Sequence, residues 1–178
     1  NALAQNDTTN RWLDCLLHEG RPEDVLPAPI RIFVMGENVW RDEYEWPLAR
    51  AVPTPYHLHD GGRLSESAPD TEQPDRYTYN PDDPVPTTGG NHSVGPYNPG
   101  LYALAKPGPY DQRSVESRDD VLVYTTPPLE RDLEVTGPVE ARIFAATSAP
   151  DTDFVARLTD VYPHGRSMNI TEGVIRAR

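Results

Sequence analysis

The sequence predicts a mainly β protein, an antiparallel sandwich preceded by one helix. Three observations lead there. The last third alternates apolar and polar residues with a period of two, the spacing of strands that bury one face. Twenty prolines and twelve glycines accompany a single lysine, Lys106. Proline breaks helix interiors and cannot donate to a ladder, so this composition favours short strands joined by rigid loops. Only one segment near the start, residues 8–20, has helical spacing.

In that segment Trp12, Leu13, Leu16 and Leu17 fall on one helical face. Thr8 or Thr9 is suited to cap it, and Gly20 to stop it. A proline-bearing linker runs from Arg21 to Pro29. Ile30–Met35 follows as a strand, apolar except at Arg31, and such a run suits a strand covered on both faces. Beyond it Trp40, Asp42, Tyr44 and Trp46 share one parity and Arg41, Glu43 and Glu45 the other. Extended, the segment carries an aromatic row on one face and a charged row on the opposite face.

Pro53 to His59 reads as a further short strand ended by Gly61-Gly62. Residues 60–119 read as an ordered meander of loops, with Tyr77–Tyr79 a short strand within it. Val121–Thr125, Val139–Ala145 and the stretch around Phe154, Ala156 and Leu158 are three more strands. Pro163-His164-Gly165-Arg166 is a turn into Met168–Arg178, which completes a hairpin. The period-2 segments at this spacing indicate an antiparallel sandwich.

Composition excludes several functions. Asp and Glu number 28 against 16 Lys and Arg, a formal net charge of -12. Nucleic acid is not an expected partner, because phosphate binding needs a cationic surface. A membrane is not one either, because no apolar run reaches the length of a span. Cys15 is the single cysteine, so a disulfide within the chain and a zinc–thiolate cluster are both ruled out. Among Leu13, Leu16 and Leu17 it reads as a buried apolar side chain.

The serine elbow G-x-S-x-G has no match; Asn91-His92-Ser93-Val94-Gly95 lacks the first glycine and the flanking strand and helix. His57 and His59 face the same way on a strand, but a metal site needs a third ligand. Asp151 and Asp153 offer oxygens of the kind calcium takes, yet aspartates beside Pro150 more simply satisfy local backbone amides. Asn6, Asn91 and Asn169 each begin a glycosylation sequon, a short pattern that says nothing about compartment. Trp40, Tyr44 and Trp46 suit either a sugar-stacking platform or a packed domain interface, and their place at a domain junction favours the interface. No catalytic, cofactor-binding or metal-ligating residue is assigned.

Eight stretches, in order, carry a resemblance. They are Arg11-Trp12-Leu13-Asp14, Phe33 to Arg41, Glu45-Trp46-Pro47, Tyr79 to Thr87, Asp111-Gln112-Arg113, Asp120 to Thr126, Leu133 to Gly137 and Ala149 to Phe154. Over residues 11–178 the chain resembles the cocaine-esterase and X-prolyl dipeptidyl peptidase (CocE/NonD) family of serine hydrolases. The resemblance implies an α/β-hydrolase catalytic domain followed by a non-catalytic jelly-roll (galactose-binding-like) β-sandwich. Residues 1–29 are then the last helix and linker of the hydrolase domain, and 30–178 the sandwich.

The family's reaction is acyl transfer through a serine, with a histidine as base and an acidic residue orienting it, on esters, amides and X-Pro peptides. None of its three catalytic residues has a counterpart here, because all lie upstream of the opening helix. The resemblance further implies a sandwich truncated at its C-terminal end. Its missing strands then come from a strand-complementing partner chain or oligomer, an associated fragment or the rest of a cleaved polypeptide, and it packs on the hydrolase domain of the same polypeptide or an associated fragment. No cofactor is expected. A stand-alone jelly-roll module for carbohydrate or peptide, and a pure oligomerisation element, are the alternatives.

Overall fold

The computed structural model describes residues 5–18, 20–71, 73–91 and 107–177. The chain is mainly β, with antiparallel strands in small sheets, few helices and, among the described residues, no closed barrel. That is the pattern of an incomplete sandwich. It divides into two compact units: Asn1–Pro53 with Asp132–Glu140, and Thr54–Arg131 with Ala141–Arg178.

The first unit opens with helix α1, Gln5–Leu17. The helix begins before Thr8 and Thr9, so neither threonine is its cap. Asp7 sits in the first turn, where a negative charge favours the exposed amides. Gly20 N donates to Cys15 O at 2.7 Å and closes the end. A Cβ on Gly20 would lie 2.8 Å from Cys15 Sγ, so the glycine allows this close return. Cys15 is half-buried rather than buried.

Strands β1 (Ile30–Val34) and β2 (Val39–Glu43) pair in an antiparallel hairpin, Ile30 opposite Glu43 and Phe33 opposite Trp40. The turn between them uses left-handed backbone at Gly36 (φ 90°) and Asn38 (φ 58°). Coverage on both faces of β1 is not observed. Ile30, Ile32 and Val34 are half-buried while Arg31 and Phe33 are exposed. The hairpin gives Phe33 a cross-strand aromatic neighbour instead of a second layer.

The second unit holds strands β3 (His57–His59) and β4 (Arg63–Ser65), helix α2 (Arg113–Glu116), and strands β5 (Thr152–Val161) and β6 (Ser167–Ala177). β3 is shorter than the Pro53–His59 expectation because Pro53 and Pro55 have no amide to donate. β5 and β6 form the predicted hairpin, from Thr152 opposite Ala177 to Val161 opposite Ser167, with a register shift at Leu158/Thr159. Gly165 (φ 86°) makes its turn, donating to Tyr162 O at 2.7 Å.

Three expected strands form no ladder: Tyr77–Tyr79, Val121–Thr125 and Val139–Ala145. Alternation decides which side chains share a face, but a strand also needs a neighbouring edge. Val121–Thr125 finds only part of one. Thr125 N donates to Gly62 O at 2.8 Å, and Thr125 O accepts from Leu64 N at 2.9 Å, a parallel bridge. In Val139–Ala145, Val139 and Phe144 stand exposed.

Buried polar residues stand out among the described residues. Glu43, His59, Gln112, Ser167 and Asn169 are buried, against Ala28, Leu48 and Val115 among the apolar ones. Each buried polar group therefore needs a partner, and those partners define the organised regions of both units.

Candidate functional site

In the first unit the organised region is an ion-pair cluster under β2. Arg50 Nη1 donates to Glu43 Oε2 at 2.9 Å, and its Nη2 donates to Glu43 Oε1. Arg41 Nη2 donates to Glu134 Oε1 at 2.6 Å, and Nη1 to Glu134 Oε2 at 3.3 Å. Arg41 Nε lies 2.8 Å from Glu43 Oε1, in contact but not aligned for a hydrogen bond. The Arg50 hydrogen bond holds the Glu43 carboxyl below its usual value, against the opposing effect of desolvation. The Arg41 hydrogen bond, helped by Thr136, does the same for Glu134. Two cations face two anions, so the cluster is closed and neutral.

The charged row of β2 is thus the covered one. Its signal was present in the parity of Arg41 and Glu43, but their partners lie seven and 93 residues away in sequence.

The aromatic row is divided. Trp40 lies on β2, 38% exposed, its ring centroid 5.3 Å from that of Phe33 at 58°. β2 ends at Glu43, so Tyr44 and Trp46 lie in the bend that follows, 76% and 48% exposed. The pleat therefore does not extend through all three rings.

In the second unit Gln112 is the hub, 1% exposed. Its Nε2 donates to Thr88 O at 2.8 Å, Tyr110 O at 3.0 Å and Asn169 Oδ1 at 3.2 Å. Its Oε1 accepts from Arg157 Nη1, and Arg157 also donates to Glu172 Oε2 at 2.6 Å. Asn169 Oδ1 takes Tyr110 N at 2.6 Å, and Ser167 Oγ donates to Glu116 Oε1 at 2.5 Å. Together these contacts fasten residues 108–116 along β6. They also engage Asn169, the first residue of a sequon, in the interior of the fold.

His59 and Ser65 make a serine–histidine contact, Oγ to Nε2 at 2.9 Å. It is not built to act as nucleophile and base. Ser67 O accepts from His59 Nε2 at 2.9 Å, so that nitrogen carries the hydrogen. Arg63 Nη2 donates to Nδ1 at 3.3 Å. A catalytic histidine needs a free lone pair toward the serine and an anion behind it; here a cation stands behind it. His57 shares the strand, and no group of three metal-ligating side chains occurs among the described residues.

Asp153 takes both nitrogens of Arg176, at 2.7 Å each, and Asp151 lies 3.8 Å from Arg176 Nε. These carboxylates therefore brace the β5–β6 hairpin. The Asn91–Gly95 segment lies outside the described residues from His92 onward. No helix among the described residues is long and apolar enough to cross a membrane.

The fold and these regions are those of a β-rich domain whose covered polar groups are held by ion pairs and backbone anchors. Residues 25–178 match the X-Pro dipeptidyl-peptidase C-terminal non-catalytic domain, and the chain belongs to that family. It is 44% identical over 158 residues to a protein named cocaine esterase from Rhodococcus sp., covering 84% of this chain and 26% of that relative. It is 31% identical over 150 residues to Mb1866c of Mycobacterium bovis, named as a serine esterase, covering 84% of this chain and 22% of the relative. MT1883 of Mycobacterium tuberculosis, also named as a serine esterase, matches to the same extent. The chain spans about a quarter of the length of these relatives.

Proposed function

We propose that this chain is the C-terminal accessory region of a serine hydrolase that cleaves ester, amide or X-Pro peptide bonds. It packs on the catalytic domain and walls one side of the substrate pocket. Residues 1–29 are the last helix and linker of that α/β-hydrolase domain, and residues 30–178 form the jelly-roll sandwich. The observation that carries this reading is the match of 25–178 to a non-catalytic C-terminal domain, joined to 44% identity with an esterase of which the match covers 26%. The surroundings of His59 are consistent with it: its Nε2 donates to Ser67 O and Arg63 faces its Nδ1, so it is not arranged as a base for Ser65.

Activity-based labelling tests it. An antibody against this chain should recover a polypeptide longer than 178 residues that reacts with a fluorophosphonate probe. Peptide mapping should place the adduct on a serine outside these residues. An adduct on Ser65, or on any other serine of this chain, would sink the proposal.

A further inference from the structure

The β3–β4 hairpin turns through Asp60, Gly61 and Gly62, closed by the His59–Arg63 pair. Both glycines use left-handed backbone, φ 72° and 75°. Their surroundings are unlike. A Cβ on Gly61 would meet nothing within 4 Å, whereas one on Gly62 would lie 2.7 Å from Val123 O. Gly62 O also accepts from Thr125 N at 2.8 Å, and Leu64 N donates to Thr125 O at 2.9 Å. The turn is thus open at Gly61 and pinned one residue later.

Asp60-Gly61 is the only aspartyl- or asparaginyl-glycine step in the sequence. Asp60 is exposed, and Gly61 lies outside the ladder with no side chain to shield its amide nitrogen. Other steps are blocked. Asn80 precedes Pro81, which has no amide hydrogen to give up. Asn38 donates its Nδ2 to Gly36 O at 3.0 Å and precedes the β-branched Val39 in the β1–β2 ladder. Asn169 is buried, its Oδ1 held by Tyr110 N at 2.6 Å, and it precedes the β-branched Ile170.

We propose that Asp60 is a modification site, isomerising to isoaspartate without an enzyme. Gly61 N bonds to Asp60 Cγ, and one carboxyl oxygen leaves as water with the carboxyl and amide protons. Water then adds back to the cyclic imide. Opening of the Cγ–N bond restores aspartate. Opening of the bond from the Asp60 backbone carbon to Gly61 N leaves isoaspartate. The chain then runs through Cβ and Cγ, and the former backbone carbonyl becomes a free carboxylate. One water is released and one consumed, so no other reactant is needed. The main chain gains one atom directly before the pinned Gly62. That extra length loosens the hydrogen bonds that join Gly62 and Leu64 to Thr125.

Ageing of the full polypeptide that carries this chain, in neutral buffer, tests the proposal. The probe is an isoaspartyl carboxyl methyltransferase with labelled S-adenosylmethionine, which marks the new carboxylate. Label should accumulate with time on the peptide containing residues 60–61. It should be lost in Asp60→Glu, whose longer side chain closes the ring far more slowly. Peptides containing Asn38 or Asn169 should stay unlabelled. Hydrogen exchange at the Thr125 and Leu64 amides should speed up in aged protein, but not in aged Asp60→Glu. Absence of label on the 60–61 peptide, or label there only after unfolding in urea, would overturn the site. Equal label at Asn169 would overturn its selection by the fold. Unchanged exchange in labelled protein would overturn the loosening of the bridge.

Discussion

Glu43 and Arg50 face each other as a two-pronged ion pair across the turn after β2, with Glu43 only 7% exposed. The pair holds the Glu43 carboxyl below its usual value, as Arg41 does for Glu134. A carboxylate with a depressed folded-state value stabilises the fold above its unfolded value, about 4.3. That contribution disappears as pH falls through the lower folded value. Glu43→Gln should therefore lower the melting temperature at pH 7 and flatten the acid limb of the stability–pH curve below about pH 4.3. Thermal melts at a series of pH values check both, and an unchanged acid limb would count against the pair.

Gln112 is a donor to three oxygens and an acceptor from Arg157. Gln112→Ala leaves those groups unsatisfied and should cost about 1–3 kcal/mol, measured by urea denaturation. Gln112→Glu keeps the acceptor for Arg157 but, when ionised, donates to none of the three oxygens. It should also destabilise at pH 7. A neutral Glu substitution would show that the donor side of the amide contributes little.

Gly89 (φ 68°) and Gly165 (φ 86°) both use left-handed backbone, but only one is crowded. A Cβ on Gly89 would lie 2.5 Å from Gly108 O and 2.8 Å from Tyr110 Cδ2, whereas one on Gly165 meets nothing within 4 Å. Gly165→Ala should cost only the conformational penalty, about 1 kcal/mol. Gly89→Ala should cost more and loosen the paired Gly90–Gly108 hydrogen bonds, both 2.9 Å. Hydrogen exchange of those two amides, compared between the variants, decides it.

Tyr124 donates to Asp75 Oδ2 at 2.5 Å, and burial followed by that hydrogen bond pushes its phenol up to about 12. The folded state then keeps a proton that the unfolded chain loses near pH ~10. Stability from this group is present below pH ~10 and is lost as pH rises toward the folded value. Tyr124→Phe should remove the latest step in a spectrophotometric tyrosine titration and make alkaline unfolding less steep. A late step that persists in the variant would assign it to another tyrosine.

The elements most legible in the sequence were those whose partners are close along the chain. The β5–β6 hairpin was readable because alternation and the turn at Pro163–Arg166 specify the same register. The β1–β2 hairpin was half readable: its strands were visible, but the assignment of the covered face was not. The aromatic row suggested packing, yet Arg41 and Glu43 are the covered pair. Sequence parity separates two faces without saying which one a distant segment will cover. Glu134 lies 93 residues from Arg41, and nothing local to either reports the pairing. Gln112 was visible only as part of a family motif, because its role depends on Thr88, Arg157 and Asn169 meeting from three separate segments.

The sequence by itself determined the β class, the family and the absence of a serine elbow motif, because composition, period-2 alternation and ordered motifs are properties of neighbouring residues. Tertiary structure alone decided which predicted strands gain a ladder, which face of the first hairpin Arg50 and Glu134 cover, and why His59 is not arranged as a base for Ser65. Each of those depends on which distant group arrives at a hydrogen-bonding edge or a charge. Chain closure over tens of residues sets that, and local pattern does not encode it.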